Sequence, residues 1–159
     1  MKSFFIQIIV VVIIFNGVAA LRESGMLSSW QKEQAPRFNL VGLNQQLHTL
    51  DSTDTKSVYY FFAPWCSVCR MSITNLQNRF ENNTKVKVYA IALDYRDRNE
   101  VDVFARDLNL TFPILLGNEQ VKAAYKISAY PSYYVVDDNK VVHRSMGYST
   151  ELGLILRSL

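Results

Sequence analysis

Two cysteines, Cys66 and Cys69, carry the most specific chemical signal in the sequence. They are the only cysteines among 159 residues and are separated by two positions. An apolar and aromatic run precedes them, and an amphipathic pattern follows. A C-x-x-C motif at such a strand-to-helix junction is typical of a dithiol that is reversibly oxidised. Because a disulfide between such close positions would restrain the chain very little, the spacing predicts redox chemistry rather than a structural role.

The position of Cys66 predicts which thiol attacks the substrate and which one resolves the mixed disulfide. Cys66 stands at the predicted N-terminus of a helix, where unpaired N–H groups and the positive end of the helix dipole stabilise a thiolate. We therefore expect Cys66 to attack a substrate disulfide. Cys69, one turn later and more buried, would then resolve the mixed disulfide.

A zinc site is the main competing interpretation of two closely spaced cysteines. Zinc would need two further ligands, and the sequence contains only His48 and His143 as histidines, far apart and in no ligand spacing. The sequence therefore predicts no metal and no cofactor other than a redox-active disulfide between Cys66 and Cys69.

Residues 1–21 differ in kind from the rest of the chain. Lys2 precedes an almost purely apolar run over 4–15, and small residues end the segment at Val18-Ala19-Ala20. This pattern is typical of a cleaved signal peptide, but the run is also about long enough for an uncleaved membrane anchor. In either case the positive residue stays inside and the following domain faces outward. Disulfides persist in such a compartment.

The remaining chain predicts a linker over 22–35 and one α/β domain over 36–159. Alternation of strand and helix patterns indicates a mixed sheet with helices on both faces. The predicted elements are a hairpin over 38–50, a buried strand over 57–63, a helix from 66 to 80, a strand over 86–93, helices near 101–108 and 121–125, a hairpin over 131–146 and a closing helix over 147–159. Residues 112–116 are predicted only as a short apolar piece.

Composition excludes several function classes. Apolar residues make up 49% and charged residues 19% of the chain, which indicates a globular protein rather than a disordered one. The net charge of +3 is small and spread evenly, without a cluster of Lys and Arg. Nucleic acid is therefore not a predicted partner.

Two stretches together make the chain resemble a known superfamily. They are F-F-A-P-W-C-S-V-C-R over 61–70 and A-Y-P-S-Y-Y-V-V-D over 129–137, the latter followed by a hairpin. With the N-terminal segment and the early hairpin, they resemble the thioredoxin superfamily, specifically the exported TlpA/ResA-like redoxins. The resemblance spans about 36–157. It implies a thioredoxin-like fold with an added N-terminal β-hairpin.

The resemblance also implies roles for residues around the cysteines. Pro131 corresponds to the cis-proline that packs beside the disulfide in this superfamily. Trp65 would shape the exposed rim, and Tyr130 with Pro131 would offer backbone to an extended substrate. The alternatives are plain packing for Trp65 and an ordinary turn at Tyr130-Pro131.

The expected activity is that of a thiol-disulfide oxidoreductase on the outer face of the bacterial inner membrane. By resemblance it would reduce protein or peptide disulfides, as in cytochrome c maturation, and receive electrons from a membrane thiol-disulfide donor. The dipeptide Ser67-Val68 does not decide the direction of the reaction. Thiol oxidation or isomerisation, and a non-enzymatic binding or copper-delivery module, remain as alternatives.

Three residues depart from the pattern of these redoxins. Tyr60 stands where thioredoxins bury an Asp, and Ser72 stands where the TlpA/ResA-like group typically has a Glu. Thr74 replaces a frequent proline of the active-site helix. The usual carboxylates for proton transfer at the second cysteine are therefore not expected, which leaves water or another group for that step.

Overall fold

The computed structural model describes residues 2–80 and 86–148. Its sequence of elements follows the predicted alternation, and the α/β class is confirmed. The predicted closing helix falls almost wholly on residues 149–159, which lie outside the described residues. The helices are α1 (Lys2–Glu23), α2 (Ser67–Phe80), α3 (Arg98–Asp107) and α4 (Glu119–Ala124).

Seven strands form two sheets among the described residues. The predicted N-terminal hairpin is the antiparallel pair β1–β2, and the other five strands form a mixed sheet in the order β5-β4-β3-β6-β7. The strands are β1 (Asn39–Val41), β2 (Leu47–Thr49), β3 (Ser57–Phe62), β4 (Lys87–Ala92), β5 (Ile114–Leu116), β6 (Ser132–Asp137) and β7 (Lys140–Met146).

Strand β5 lies within residues 112–116, for which the sequence predicted only an apolar piece. The piece pairs with β4 in parallel, with Ile91 opposite Leu115, and so forms the edge of the sheet. Because only three residues take part, no periodicity could distinguish this strand from an apolar loop in the sequence.

Strand β3 is the centre of the domain, as its continuous apolar sequence predicts. It pairs in parallel with β4 and antiparallel with β6, and all six residues are buried. Alternate side chains point to opposite faces of a strand. Tyr60 and Phe62 therefore pack on one face, with residues of α2 and α3, whereas Tyr59 and Phe61 pack on the other, with residues of α4 and the N-terminal part of the chain.

Part of the predicted linker packs on the second face of the sheet. Met26 and Leu27 are both buried there. The backbone N–H of Leu27 donates to the Tyr134 hydroxyl at 3.2 Å, and the Arg144 guanidinium donates to the carbonyls of Met26 and Leu27 at 2.8 and 3.0 Å. Met26 and Leu27 are thus in close contact with the domain that follows them.

Helix α1 contains the N-terminal apolar run. Across the residues that the structure describes, no helix combines the length and apolar character that crossing a membrane requires. The signal peptide or anchor over 1–21 stays a prediction from the sequence.

Candidate active site

The cysteine pair lies where the central strand passes into helix α2. Cys66 directly precedes the helix, and its carbonyl accepts from the backbone N–H of Arg70 at 3.2 Å, the first helical hydrogen bond. The backbone N–H of Cys69 donates to the Cys66 sulfur at 3.1 Å. This sulfur therefore occupies the position of a helix N-cap acceptor, where a developing thiolate is stabilised.

The two sulfurs form a disulfide but differ in accessibility. Cys66 and Cys69 are disulfide-bonded with their Cα atoms 5.2 Å apart. Cys66 retains 7% of its surface, whereas Cys69 retains none. Cys66 is therefore the more accessible of the two cysteines, and its role as the attacking sulfur stays a prediction.

Pro131 lies beside this junction, at the start of β6. The Tyr130–Pro131 peptide bond is cis, which confirms the geometry that the resemblance implied. Ser132 pairs with Phe61 of β3, and the Pro131 carbonyl accepts from the Gly147 N–H at 2.7 Å. These contacts place Pro131 beside the C-terminal end of β3, which Cys66 follows in the chain.

Trp65 and Tyr130, predicted separately as substrate contacts, touch each other. Their rings meet edge to face, with centroids 5.9 Å apart. Trp65 is 62% exposed. Its indole N–H donates to the carbonyl of Asp94 at 2.9 Å, so the side chain is oriented although most of its surface faces solvent. We call Trp65, Tyr130 and Pro131 the rim of the site.

Behind Cys69, two hydroxyl side chains occupy the positions where the resemblance would place carboxylates. Tyr60 and Ser72 are each 1% exposed and are hydrogen-bonded to each other. The Tyr60 hydroxyl also donates to the Cys69 carbonyl at 3.4 Å. Burial raises the pKa of Tyr60 well above its ordinary value, so the phenol stays neutral.

Tyrosines aside, the polar residues buried in the described part of the chain are all uncharged. They are Ser52, Ser57, Ser72, Ser132, Asn139 and Ser145. Cys69, which is completely buried, therefore has no buried charged side chain beside it among the described residues.

Sequence reasoning missed two residues near the rim, Asp94 and Lys122. The Lys122 ammonium lies 2.8 and 2.7 Å from the two carboxylate oxygens of Asp94. A signal for Asp94 did exist. It lies just after the parallel strand β4, and the carboxyl ends of parallel strands meet at the edge where sites form. Lys122, on a short helix far along the chain, gives no local signal.

Comparison with known proteins places this chain in a family. The sequence profile described as the AhpC/TSA family matches residues 32–145, which include both cysteines and the rim.

Two characterised sequences show the same relationship. The chain is 32% identical over 114 residues to the thioredoxin-like protein YneN of Bacillus subtilis, which covers 69% of this chain and 67% of that protein. It is 26% identical over 146 residues to the thiol-disulfide oxidoreductase ResA of Oceanobacillus iheyensis, covering 87% and 75%.

Solved structures show the same fold. StoA from Bacillus subtilis superimposes with a TM-score of 0.71 at 18% identity, over 78% of this chain and 97% of that one. A DsbF homologue from Corynebacterium diphtheriae gives 0.73 at 21% identity, over 83% and 88%. With the matched profile, the relatives and the disulfide at the head of α2, the chain belongs to the AhpC/TSA family, with a thioredoxin-like fold and the activity of a thiol-disulfide oxidoreductase.

Proposed function

We propose that this enzyme reduces disulfides in exported proteins or peptides on the outer face of the bacterial inner membrane. The observation that carries the proposal is the pairing of one reachable sulfur, Cys66, with one completely buried sulfur, Cys69, at a helix N-terminus. The apolar segment over 1–21 supports the location, since it has the features of an export signal or an anchor.

The reaction begins with the reduced pair. The Cys66 thiolate attacks one sulfur of the substrate disulfide, whose S–S bond breaks, and the released substrate thiolate takes up a proton. Cys69 then loses its proton and attacks the Cys66 sulfur. The mixed disulfide breaks, the second substrate thiol leaves, and Cys66 and Cys69 end as a disulfide. Two electrons have passed to the substrate, and a membrane thiol-disulfide donor returns them.

The rim supplies the binding surface for the substrate chain. Trp65 offers a large exposed face directly beside the reachable sulfur. The Pro131 carbonyl already accepts from Gly147, so the main chain of Tyr130 is the better placed partner for an extended substrate segment. Pro131 itself gives that segment a rigid contact. No cofactor other than the disulfide takes part in this scheme.

The direction of electron flow rests on the relatives. The Oceanobacillus iheyensis protein is named a thiol-disulfide oxidoreductase, and the resemblance to TlpA/ResA-like redoxins points to reduction, as in cytochrome c maturation. A reductase needs a dithiol that gives up its electrons readily. The reduction potential of the Cys66–Cys69 pair is therefore the measured quantity that separates reductase from oxidase.

Insulin reduction tests the enzymatic part of the proposal. Cys66→Ser should lose turnover, whereas Ser67→Ala, which alters an exposed residue between the cysteines, should keep it. Turnover by Cys66→Ser equal to that of the wild type would remove the redox interpretation and favour a binding module.

Equilibration with glutathione or thioredoxin tests the direction. A potential near that of thioredoxin, about −270 mV, supports a reductase. A potential near about −120 mV, as in DsbA, would contradict it and indicate an oxidase.

A further inference from the structure

Asp94 makes two different contacts from one residue beside the rim. Its main-chain carbonyl accepts the indole N–H of Trp65 at 2.9 Å. Its carboxylate is held by Lys122 through both oxygens, at 2.8 and 2.7 Å. Asp94 has a φ of +50°, in the left-handed region that few residues other than glycine adopt without support.

Lys122 approaches Asp94 from a separate element, helix α4. The Asn118 side chain caps this helix by accepting from the Val121 N–H at 3.0 Å. The side chains of Lys122 and Asp94 are only 29% and 27% exposed, so water screens their ion pair less than it screens a fully exposed one. The ion pair therefore connects the loop after β4 to helix α4.

The electrostatics of the cluster agree with this geometry. Burial opposes ionisation of Asp94, but the hydrogen bonds and the positive charge of the Lys122 ammonium outweigh it, and the pKa of Asp94 is lowered. The same contact with Asp94 raises the pKa of Lys122. Both groups are thus charged at neutral pH. Tyr130, whose ring touches Trp65, has its hydroxyl near the Asp94 carboxylate.

We propose that Asp94 and Lys122 are positioning residues for substrate binding. The ion pair fixes the backbone of Asp94, and the fixed carbonyl holds the Trp65 indole against Tyr130 in the orientation that receives a polypeptide substrate. The inference rests on the proposed function, in which the rim binds the substrate chain. Neither residue touches the reacting sulfurs, so their effect is on binding of large substrates rather than on thiol exchange.

Steady-state kinetics on the full chain test the proposal with two substrates. Lys122→Met and Asp94→Asn should raise KM for insulin about threefold while kcat changes less than about twofold. Asn tolerates the left-handed backbone of this position, so Asp94→Asn removes the charge without adding strain. Turnover of hydroxyethyl disulfide, which is too small to need the rim, should not change.

A matched control uses another lysine of the same region. Lys126 is paired with Glu33 at 3.0 Å, whereas Lys122 is paired with Asp94. Lys126→Met should leave both substrates unaffected. Lys122→Arg, which keeps the positive charge, should recover most of the KM lost in Lys122→Met.

Fluorescence and a double mutant show whether the effect passes through Trp65. In a Trp30→Phe background, Lys122→Met should increase acrylamide quenching of Trp65, and Lys126→Met should not. In a Trp65→Phe background, Lys122→Met should have no further effect on KM.

Three results would overturn the proposal. They are an unchanged KM for insulin in both Lys122→Met and Asp94→Asn, an equal change in the Lys126→Met control, or additive effects of Lys122→Met and Trp65→Phe. These results differ from failure of the proposed function, in which turnover would not depend on Cys66 at all.

Discussion

The two sides of the disulfide differ in the charge of the side chains that surround them. On the outer side, the indole and the phenol of the rim lie beside the half-buried ion pair between Asp94 and Lys122. On the inner side, Cys69 meets the neutral hydroxyls of Tyr60 and Ser72. The half-buried ion pair lies on the outer side, and the two described hydroxyls behind Cys69 are uncharged.

Solvent exposure explains this difference. Near the surface, an ion pair keeps part of its hydration and can orient a loop at little cost. Behind Cys69 a single charge would lose its hydration, and the penalty would be several kcal/mol. Hydroxyls satisfy the buried backbone there without that penalty. Charged side chains therefore position the substrate in this enzyme, whereas the side chains behind the buried sulfur are neutral.

The largest expected effect comes from removing each of the two sulfurs in turn. Cys69→Ser leaves the reachable Cys66 free to attack but removes the resolving thiol. We expect insulin turnover to fall by about two orders of magnitude and a mixed disulfide with the substrate to accumulate, visible on a non-reducing gel. Cys66→Ser should form far less adduct, because Cys69 is fully buried. Equal adduct formation by the two variants would show that accessibility does not distinguish them.

A carboxylate placed on the inner side tests whether that side must be neutral. Ser72→Glu would bury a carboxyl among neutral groups, and we expect the free energy of unfolding at pH 7 to fall by about 3 kcal/mol or more. The matched control is Thr74→Glu on the same helix, at a less buried position, with an expected change within about 0.5 kcal/mol. Urea unfolding measures both. Similar losses of unfolding free energy in the two variants would show that burial of the charge is not the cause.

A smaller effect is expected when a hydroxyl of the inner side is removed. Tyr60→Phe deletes the group that contacts Ser72 and the Cys69 carbonyl, and should lower the free energy of unfolding by about 1 kcal/mol. Tyr148→Phe serves as the control, since Tyr148 is 55% exposed and accepts from the Asn75 side chain near solvent. If the control is destabilised as strongly as Tyr60→Phe, burial of the hydroxyl is not the cause.

The smallest effect is the pH dependence that comes from the outer ion pair. The pKa of Asp94 is lower in the folded protein than in the unfolded chain. The stability that it contributes is therefore fully present above the unfolded pKa of about 3.9 and is lost as the pH falls through the folded pKa. Wild type should be more stable than Asp94→Asn at pH 6, by at most about 1 kcal/mol. Below pH about 3 this difference should shrink, and a difference that grows on acidification would have the wrong sign.

Local patterns in the sequence predicted the parts of the site that lie close together along the chain. The cysteine spacing, the buried strand before it and the helix after it are all contained in one stretch, and each has a recognisable period or motif. Pro131 was reached through a second motif and the resemblance, and its cis bond is confirmed. Tyr60 and Ser72 were noticed only as separate departures, because their contact depends on how α2 lies on the sheet.

Other features depend on contacts between distant segments. The ion pair joins Asp94 to a residue 28 positions later, and the packing of Met26 and Leu27 depends on contacts with residues more than 100 positions away. Neither has a period or a motif, since surface lysines and aspartates are common and most are solvated.

By itself, the sequence determined the α/β class and the redox pair, and it predicted Cys66 as the attacking sulfur. These follow from local chemistry, namely hydrophobic period, cysteine spacing and the N-terminus of a helix. The tertiary structure alone decided that Trp65 meets Tyr130, that Asp94 holds the indole, and that a neutral hydroxyl pair lies behind Cys69. The physical reason is that packing of the sheet, and not the order of the chain, brings together side chains from four separate segments.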